Sequence, residues 1–323
     1  MSDTLIRPPF DAESEAVLAL MQEQLPPVTP ETIALMRQGV LLEGASPIAD
    51  ALEQAGITRR DVTIPGHNGD EIEVTVLARA DHTGLGPGIF HTHGGGMIVG
   101  DRMLGVEQLI PWIVEHDAVA VTVEYRLAPE YPDPYPTEDS YAALVWTAAH
   151  AGELGIDPER ILVAGASAGG GLAAAMALLA RDRRGPRLIG QLLICPMLDD
   201  RDATTSTHQY PDRGTWVRSA NITGWSALLG DRRGSDEVSI YAAPARATDL
   251  GGLPSAYIDC GSAEVFRDED VAYATALWRD GMQAELHVWA GGFHGFDMMA
   301  GHTALAQAAT AARNAWVARL IGA

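Results

Sequence analysis

Short apolar runs alternate with helix-length segments over most of this chain, and this rhythm constrains its fold more than any other feature. The runs that we predict as strands are 88–93, 118–123, 160–165, 188–195, 256–260 and 284–290. The segments that we predict as helices are 103–116, 137–151, 168–181, 267–281 and 303–320. The alternation predicts an α/β protein with right-handed crossovers and a mostly parallel sheet that is covered by helices on both faces.

Two parts of the chain depart from that rhythm. Before the parallel part, 11–24 and 29–43 are predicted as helices, and alternation between 61 and 76 predicts a hairpin that turns at 66–70. Later, polar residues fill 199–245, which indicates an insertion at a strand end. We therefore predict N-terminal cap helices at 1–45, a core at 46–198 and 246–323, and a cap insertion at 199–245.

Charge and composition argue against several classes of function. The net charge of −21 repels phosphate backbones and anionic lipids, so we expect no nucleic-acid partner. None of the 22 basic residues is a lysine, which removes Schiff-base, pyridoxal phosphate, Ser-Lys and P-loop chemistry. Cys195 and Cys260 end apolar runs, which favours buried thiols in a reducing cytoplasm. We see no signal-like N-terminus and no membrane-length apolar run, so neither export nor a membrane span is expected.

The strongest local signal is Gly-Ala-Ser-Ala-Gly at 165–169, which follows the apolar run 161–164 and precedes a helix-like segment. A nucleophilic serine on a strained strand-to-helix turn needs small neighbours, and the helix N-terminus favours developing negative charge. The alternative is an ordinary turn of a doubly wound protein in which Ser167 only caps the helix. Ser167 is the candidate nucleophile.

A second glycine-rich loop, His-Gly-Gly-Gly at 93–96, follows the predicted strand 88–93. Consecutive glycines allow backbone N–H groups to point at one spot, as an oxyanion requires. This element is known as an oxyanion loop in lipases and esterases. A flexible loop or a phosphate cradle is the alternative, and the cradle is disfavoured because no Lys-Ser/Thr pair follows.

A serine hydroxyl needs a general base, which is usually a histidine that a carboxylate holds in place. The expected chain order is serine, acid, histidine. The histidines after Ser167 are His208, His287, His294 and His302, and His294 alone occupies a glycine-rich loop directly after a strand. We therefore predict His294 as the base.

The acid should lie in the loop after the preceding predicted strand, 256–260. Glu264 follows that strand closely and comes before the predicted helix, so it is placed to reach His294. Asp268 is the rival, although an acid in the first turn of a helix is also explained by the helix dipole. We predict Glu264 and keep Asp268 as the alternative acid.

Five segments together resemble the hormone-sensitive lipase family, or bacterial family IV, of the α/β-hydrolases, and the likeness covers most of the chain. They are the two glycine-rich loops, Tyr-Arg-Leu-Ala-Pro-Glu at 125–130, Cys-Pro-Met-Leu-Asp at 195–199 and Ala-Glu-Val-Phe-Arg-Asp-Glu at 263–269. The last segment matches the spacing of the family's acid-bearing loop, which places Glu264 where aspartate is common. Ala166 also differs from the Asp or Thr of many members.

The resemblance implies an α/β-hydrolase fold with a helical cap and a carboxylesterase that cleaves small, short-chain esters. The oxyanion N–H groups would come from Gly94, Gly95 and Ala168. Met97, Trp216 and Trp225 would be candidate pocket residues, although core packing explains each of them as well. A homodimer, common in the family, is a possible assembly.

No cofactor or metal is expected. The pairs Asp199-Asp200 and His91/His93 could suggest a metal site, but they lie on separate segments without a supporting cluster. Amide hydrolysis and lactone opening use the same residue types, and the sequence does not separate them from ester hydrolysis. Another class is a small-molecule receptor of the same fold, such as the plant gibberellin receptors, which lost the catalytic histidine. This chain retains His294, which favours an enzyme.

Overall fold

The computed structural model describes residues 5–23, 26–38 and 48–322. These residues form an eight-stranded sheet with the order β1-β2-β4-β3-β5-β6-β7-β8. The strands are β1 Ile57–Pro65, β2 Glu71–Arg79, β3 Gly86–Thr92, β4 Val119–Glu124, β5 Ile156–Ala166, β6 Leu188–Ile194, β7 Ser255–Gly261 and β8 Ala284–Trp289. β2 pairs antiparallel with β1 and with β4, and the other neighbours are parallel.

Helices cover both faces of this sheet, as the alternation predicts. They are α1 Ala12–Gln22, α2 Ile33–Met36, α3 Ile48–Gln54, α4 Ile110–His116, α5 Tyr135–Ala149, α6 Ala151–Leu154, α7 Ala168–Asp182, α8 Thr205–Gln209, α9 Arg218–Leu229, α10 Arg267–Arg279, α11 Phe296–Met299 and α12 Ala304–Ile321. Within the described residues, none of these helices has the length and hydropathy needed to cross a bilayer.

The helix that follows Ser167 packs unusually close to the sheet. Every residue of α7 up to Ala180 is buried, and most are glycine or alanine. A Cβ added to Gly169 would lie 2.0 Å from the carbonyl oxygen of Thr92, so only glycine allows this approach. Small side chains therefore set the distance between α7 and β3, and with it the position of Ser167.

The structure corrects the predictions for the N-terminal part. Helix α1 agrees with the predicted 11–24, but the predicted helix 29–43 is reduced to the single turn α2, and 39–43 lie outside the described residues. At the predicted beginning of that helix, the chain instead contains Pro30 and hydrogen bonds between Thr29 and Thr32. Helix α3 was not predicted, and the predicted 103–116 is a 3₁₀ turn followed by α4.

The 199–245 insertion leaves the carboxyl end of β6 and carries α8 and α9. Arg218 pairs with Asp202 at 2.6 Å within the insertion, and Arg246, directly after the insertion, pairs with buried Asp200 at 2.6 Å. The backbone N–H of Ser206 donates to Asp268 on α10 at 2.7 Å. The insertion therefore lies against the sheet edge where the parallel strands end.

Candidate active site

Ser167 occupies the turn between β5 and α7 with φ 58° and ψ −121°, a conformation that a residue with a side chain adopts only under constraint. Three backbone hydrogen bonds supply that constraint. Its N–H donates to Ile194 at 2.8 Å, and its carbonyl accepts from Met197 at 2.9 Å and from Gly171 at 3.0 Å. The hydroxyl is consequently held at the carboxyl edge of the sheet.

His294 lies in the loop between β8 and α11 and reaches Ser167. Its Nε2 is 2.9 Å from Ser167 Oγ, and its Nδ1 is 2.6 Å from Glu264 Oε2. A carboxylate only accepts hydrogen bonds, so Nδ1–H donates to Glu264 and Nε2 keeps a lone pair for the serine proton. Phe266 meets the imidazole edge to face at 5.1 Å and limits its rotation.

Glu264, not Asp268, is the acid that the fold brings to His294. Its Oε1 accepts from the backbone N–H of Gly261 at 2.8 Å, so the longer side chain folds back over the end of β7. Asp268 instead accepts from Ser206 N–H and from Arg267 Nε, both at 2.7 Å. Asp268 thus joins α8 to α10 and does not contact the imidazole.

The glycine loop lies against the nucleophile. A Cβ on Gly94 would be 3.0 Å from the carbonyl oxygen of Ala166 and 3.6 Å from Ser167 Cβ. Gly95 has φ 111°, and its carbonyl accepts from two residues of the same turn. In the part of the chain that the structure describes, the N–H groups of Gly94, Gly95 and Ala168 donate to no protein acceptor. They are free to stabilise an oxyanion.

Buried aromatic contacts hold this loop from behind. His93 stacks on Tyr125 with ring centroids 4.1 Å apart, and the Tyr125 hydroxyl donates to the His93 carbonyl at 2.7 Å. His93 Nδ1 donates to the carbonyl of Gly94 at 2.7 Å. Burial lowers the pKa of His93 to about 4, so the ring is neutral and acts as a hydrogen-bond support for the loop.

A cavity of about 230 Å³ opens beside Ser167, and most of its wall is apolar. Trp216 belongs to the wall and also packs where a Cβ on Gly96 would stand. Met97 and Trp225, the other predicted pocket residues, are buried in the main hydrophobic cluster and do not line this cavity. Met97 follows the glycine loop with φ 64°, and its side chain is buried in the core.

Sequence reasoning missed most of the apolar wall. The missed residues come from loops and short helices that are distant in sequence, and they are Val28, Met36, Val99, Leu104, Met298 and Met299. Met298 and Met299 directly follow the loop of His294 in the sequence, and this proximity to the predicted base could have indicated that they line the cavity. From the insertion, Thr215 Oγ1 donates to the carbonyl oxygen of His294. The covering segment is therefore bonded to the backbone of the predicted base.

One group among the described residues has the ligand types of a metal site: Cys195, Glu264 and His294. Burial raises the pKa of the Cys195 thiol well above its usual value, which disfavours the thiolate that a metal needs. The facing atoms of Glu264 and His294 already bond each other at 2.6 Å. A hydrogen-bonded pair explains this group better than a metal site. The Asp199-Asp200 pair is engaged by Arg201 and Arg246.

A family model described as alpha/beta hydrolase fold matches residues 89–298. The chain belongs to the hormone-sensitive lipase family of α/β-hydrolases. It is similar to esterase LipI of Mycobacterium tuberculosis, 35% identical over 234 residues that cover 71% of this chain and 70% of that protein. It is also similar to carboxylesterase NlhH of the same species, 38% identical over 206 residues, or 62% of this chain and 63% of that one.

The fold of this hormone-sensitive lipase family member is shared over nearly its whole length with a solved bacterial heroin esterase. The two are 36% identical with a TM-score of 0.85, and the match covers 97% of this chain and 98% of the other. The predicted α/β-hydrolase fold, the predicted family and the predicted carboxylic ester hydrolase are confirmed. The roles of the individual site residues stay predictions.

Proposed function

We propose that this carboxylesterase cleaves small esters through Ser167 as nucleophile, His294 as base and Glu264 as its orienting acid. The supporting observation is the unbroken series of contacts, 2.9 Å from hydroxyl to imidazole and 2.6 Å from imidazole to carboxylate. The series begins beside the cavity and ends on buried Glu264. The order of contacts is that required for general-base activation of a serine.

The proposed reaction has two halves. His294 Nε2 takes the proton as Ser167 Oγ bonds to the ester carbonyl carbon, and the resulting oxyanion accepts from the N–H groups of Gly94, Gly95 and Ala168. Collapse breaks the bond to the alkoxy oxygen, which leaves as the alcohol with the proton from His294. His294 then deprotonates a water that attacks the acyl-enzyme, and the acid is released as Ser167 regains its proton.

Cavity size supports a preference for small substrates. At about 230 Å³ it lies below the roughly 300–1,000 Å³ of pockets that hold drug-sized ligands. We propose that the N-terminal helices and the 199–245 insertion form the cap of this cavity. Val28 and Met36 line it from the first segment, and Thr215 and Trp216 line it from the second.

The test is hydrolysis of nitrophenyl esters of increasing acyl length, with a matched amide and a lactone in the same assay. We expect short chains to be cleaved fastest. Ser167→Ala should lose roughly 10⁴-fold or more in kcat/KM with an unchanged circular dichroism spectrum. Ser226→Ala, at an exposed serine of α9, is the control. Full activity in Ser167→Ala would refute the nucleophile, and faster cleavage of the amide or lactone would move the protein to those classes.

Three further proposals concern the assembly, the location and the partners of the protein. β8 is the last strand of the sheet and exposes Val288, so a homodimer is proposed to form along this edge, and sedimentation of a Val288→Arg variant tests it. Both cysteines are free thiols, which suits the proposed cytoplasmic location and is checked by cell fractionation. The charge of −21 argues against a nucleic-acid partner, and a gel-shift assay tests this.

A further inference from the structure

Besides Thr215, the proposed nucleophile and base, and Asp297, which pairs with Arg313 at 2.8 Å, two polar side chains interrupt the apolar wall of the cavity at the same place. His91 reaches it from β3, and Gln108 reaches it from the 3₁₀ turn before α4. Gly105 lies next to both, because a Cβ there would be 3.6 Å from His91 Nε2 and 3.8 Å from Gln108 Nε2. The absence of a side chain at Gly105 leaves the space in front of these two nitrogens open.

The hydrogen bonds of His91 fix which ring nitrogen carries the proton. The Thr122 hydroxyl donates its only hydrogen to the carbonyl of Arg102 at 2.6 Å. It must therefore accept from His91 Nδ1, which is 2.9 Å away. His91 Nε2 is then an unprotonated acceptor. The side chain is 4% exposed, and Nε2 has no protein partner among the described residues.

The orientation of Gln108 follows from its neighbour. Arg313 Nη1, which can only donate, lies 2.8 Å from Gln108 Oε1, so the oxygen is engaged and the amide NH₂ is left for the cavity. Arg313 is buried and locked by Asp259 at 3.0 Å and Asp297 at 2.8 Å. Beside Gly105, the cavity thus presents one fixed acceptor and one fixed donor.

We propose that His91 Nε2 and Gln108 Nε2 form a subsite for a hydroxyl group carried by the ester substrate. This inference rests on the proposed function and specifies its substrate class as hydroxylated aliphatic esters. A hydroxyl donates one hydrogen bond and accepts others, so it satisfies both nitrogens at once. A carboxylate would face the lone pair of His91, and an ammonium would face the NH₂ of Gln108.

The neutral state of His91 supports the same assignment. Burial lowers its pKa to about 3, so the ring remains an acceptor throughout the range in which a serine esterase works. A buried acceptor that loses water on substrate binding and gains no partner is costly. Sites built around such a group discriminate strongly against analogues that lack the matching polar atom. Methyl-for-hydroxyl replacement should therefore be penalised.

The experiment compares ester pairs that differ only by a hydroxyl in place of a methyl group, placed at successive carbons of the acyl chain or of the alcohol. At the favoured position, kcat/KM of the hydroxylated ester should exceed that of its methyl partner by about tenfold or more. The acyl and alcohol series distinguish which half of the substrate reaches the subsite. Equal rates for every pair would overturn the proposal while leaving the esterase function intact.

Variants test whether the preference for the hydroxylated ester depends on the side chains of His91 and Gln108. His91→Phe and Gln108→Leu should each bring the ratio of the two kcat/KM values towards one, whereas Gln283→Leu, at an exposed position before β8, should keep the wild-type ratio. A preference that survives both substitutions would contradict the proposal. Calorimetric binding of the same pairs to Ser167→Ala gives a second readout, because tighter binding of the hydroxylated ester supports the subsite even if no ester is turned over.

Discussion

The carboxyl edge of the sheet and the segments that cover it hold their residues by different means. At the edge, Ser167 is fixed by three backbone hydrogen bonds, and Glu264 is braced by the backbone of Gly261. In the insertion, Trp216 and Thr215 line the same cavity, and side chains make the links to the rest of the fold, such as the Arg246–Asp200 ion pair and the Asp268 carboxylate that accepts from Ser206 N–H. Backbone bonding suits groups whose positions must be accurate to a fraction of an ångström, and side-chain fastening suits walls that only need to exclude water.

The largest change in activity is expected when the two candidate acids are compared. Glu264→Ala should lower kcat/KM by about 10³-fold or more, because His294 loses the group that fixes its tautomer and stabilises its charge. Asp268→Ala should cost only a few-fold, since that carboxylate joins α8 to α10. Steady-state kinetics on both variants decides the matter. The reverse ranking would transfer the role to Asp268.

The second-largest change in activity is expected from a substitution in the glycine loop at 93–96, the proposed oxyanion loop. Gly95→Ala places a Cβ 2.0 Å from the carbonyl oxygen of Val99 at a φ of 111°, so the loop must move and its N–H groups with it. We expect kcat to fall by about 10²-fold with a smaller change in KM. Gly152→Ala, where no atom lies within 4 Å of the added Cβ, is the matched control. An unaltered kcat in Gly95→Ala would remove the loop from the mechanism.

The stability of the protein in acid provides a third test, because the sheet edge carries the buried histidine His91. Burial lowers the pKa of His91 from 6.5 to about 3, so the unfolded chain takes up the proton first, and stability is lost as the pH falls from about 6.5 towards 3. Between about pH 7.5 and 5, the free energy of unfolding of His91→Phe should therefore fall by about 2 kcal/mol less than that of the wild type. This difference corresponds to a factor of about thirty in the folding equilibrium constant.

Urea unfolding at the two pH values measures this difference, and it isolates the histidine because other titrating groups are common to both proteins. If the free energy of unfolding falls equally in His91→Phe and in the wild type between the two pH values, then protonation of His91 does not contribute to the loss of stability in acid.

The smallest effect is expected in the covering segment. Trp216→Ala removes part of the cavity wall, and we expect KM to rise by about tenfold with less change in kcat, because the lost contact is made before and during the reaction alike. Trp278→Ala, at a half-exposed position of α10, controls for the loss of a tryptophan. If Trp216→Ala lowered kcat as much as Glu264→Ala does, the proposed difference between the sheet edge and the insertion would be contradicted.

The sequence predicted the sheet edge well because its signals are local. The predicted strand 188–195 and the observed Leu188–Ile194 differ by one residue, and the loops that carry Ser167 and Glu264 directly follow β5 and β7. Parallel strands bring their carboxyl ends to one edge, so residues far apart in sequence meet without any long-range pattern in the sequence.

The cavity wall was predicted poorly for the opposite reason. Trp216 and Trp225 have similar sequence surroundings, yet only Trp216 reaches the cavity. Which aromatic side chain faces the space depends on how the insertion packs on the core, and no local periodicity encodes that. The roles proposed for His91 and Gln108 were likewise not predictable from the sequence, since they depend on the hydrogen bonds that Thr122 and Arg313 make in the fold.

The hydrogen bond from Thr215 to the carbonyl oxygen of His294 has a mechanical consequence. Any motion that lifts the insertion to admit a substrate must first break a bond at the base's own peptide unit. A displacement of Thr215 would therefore remove one restraint on the loop that carries His294.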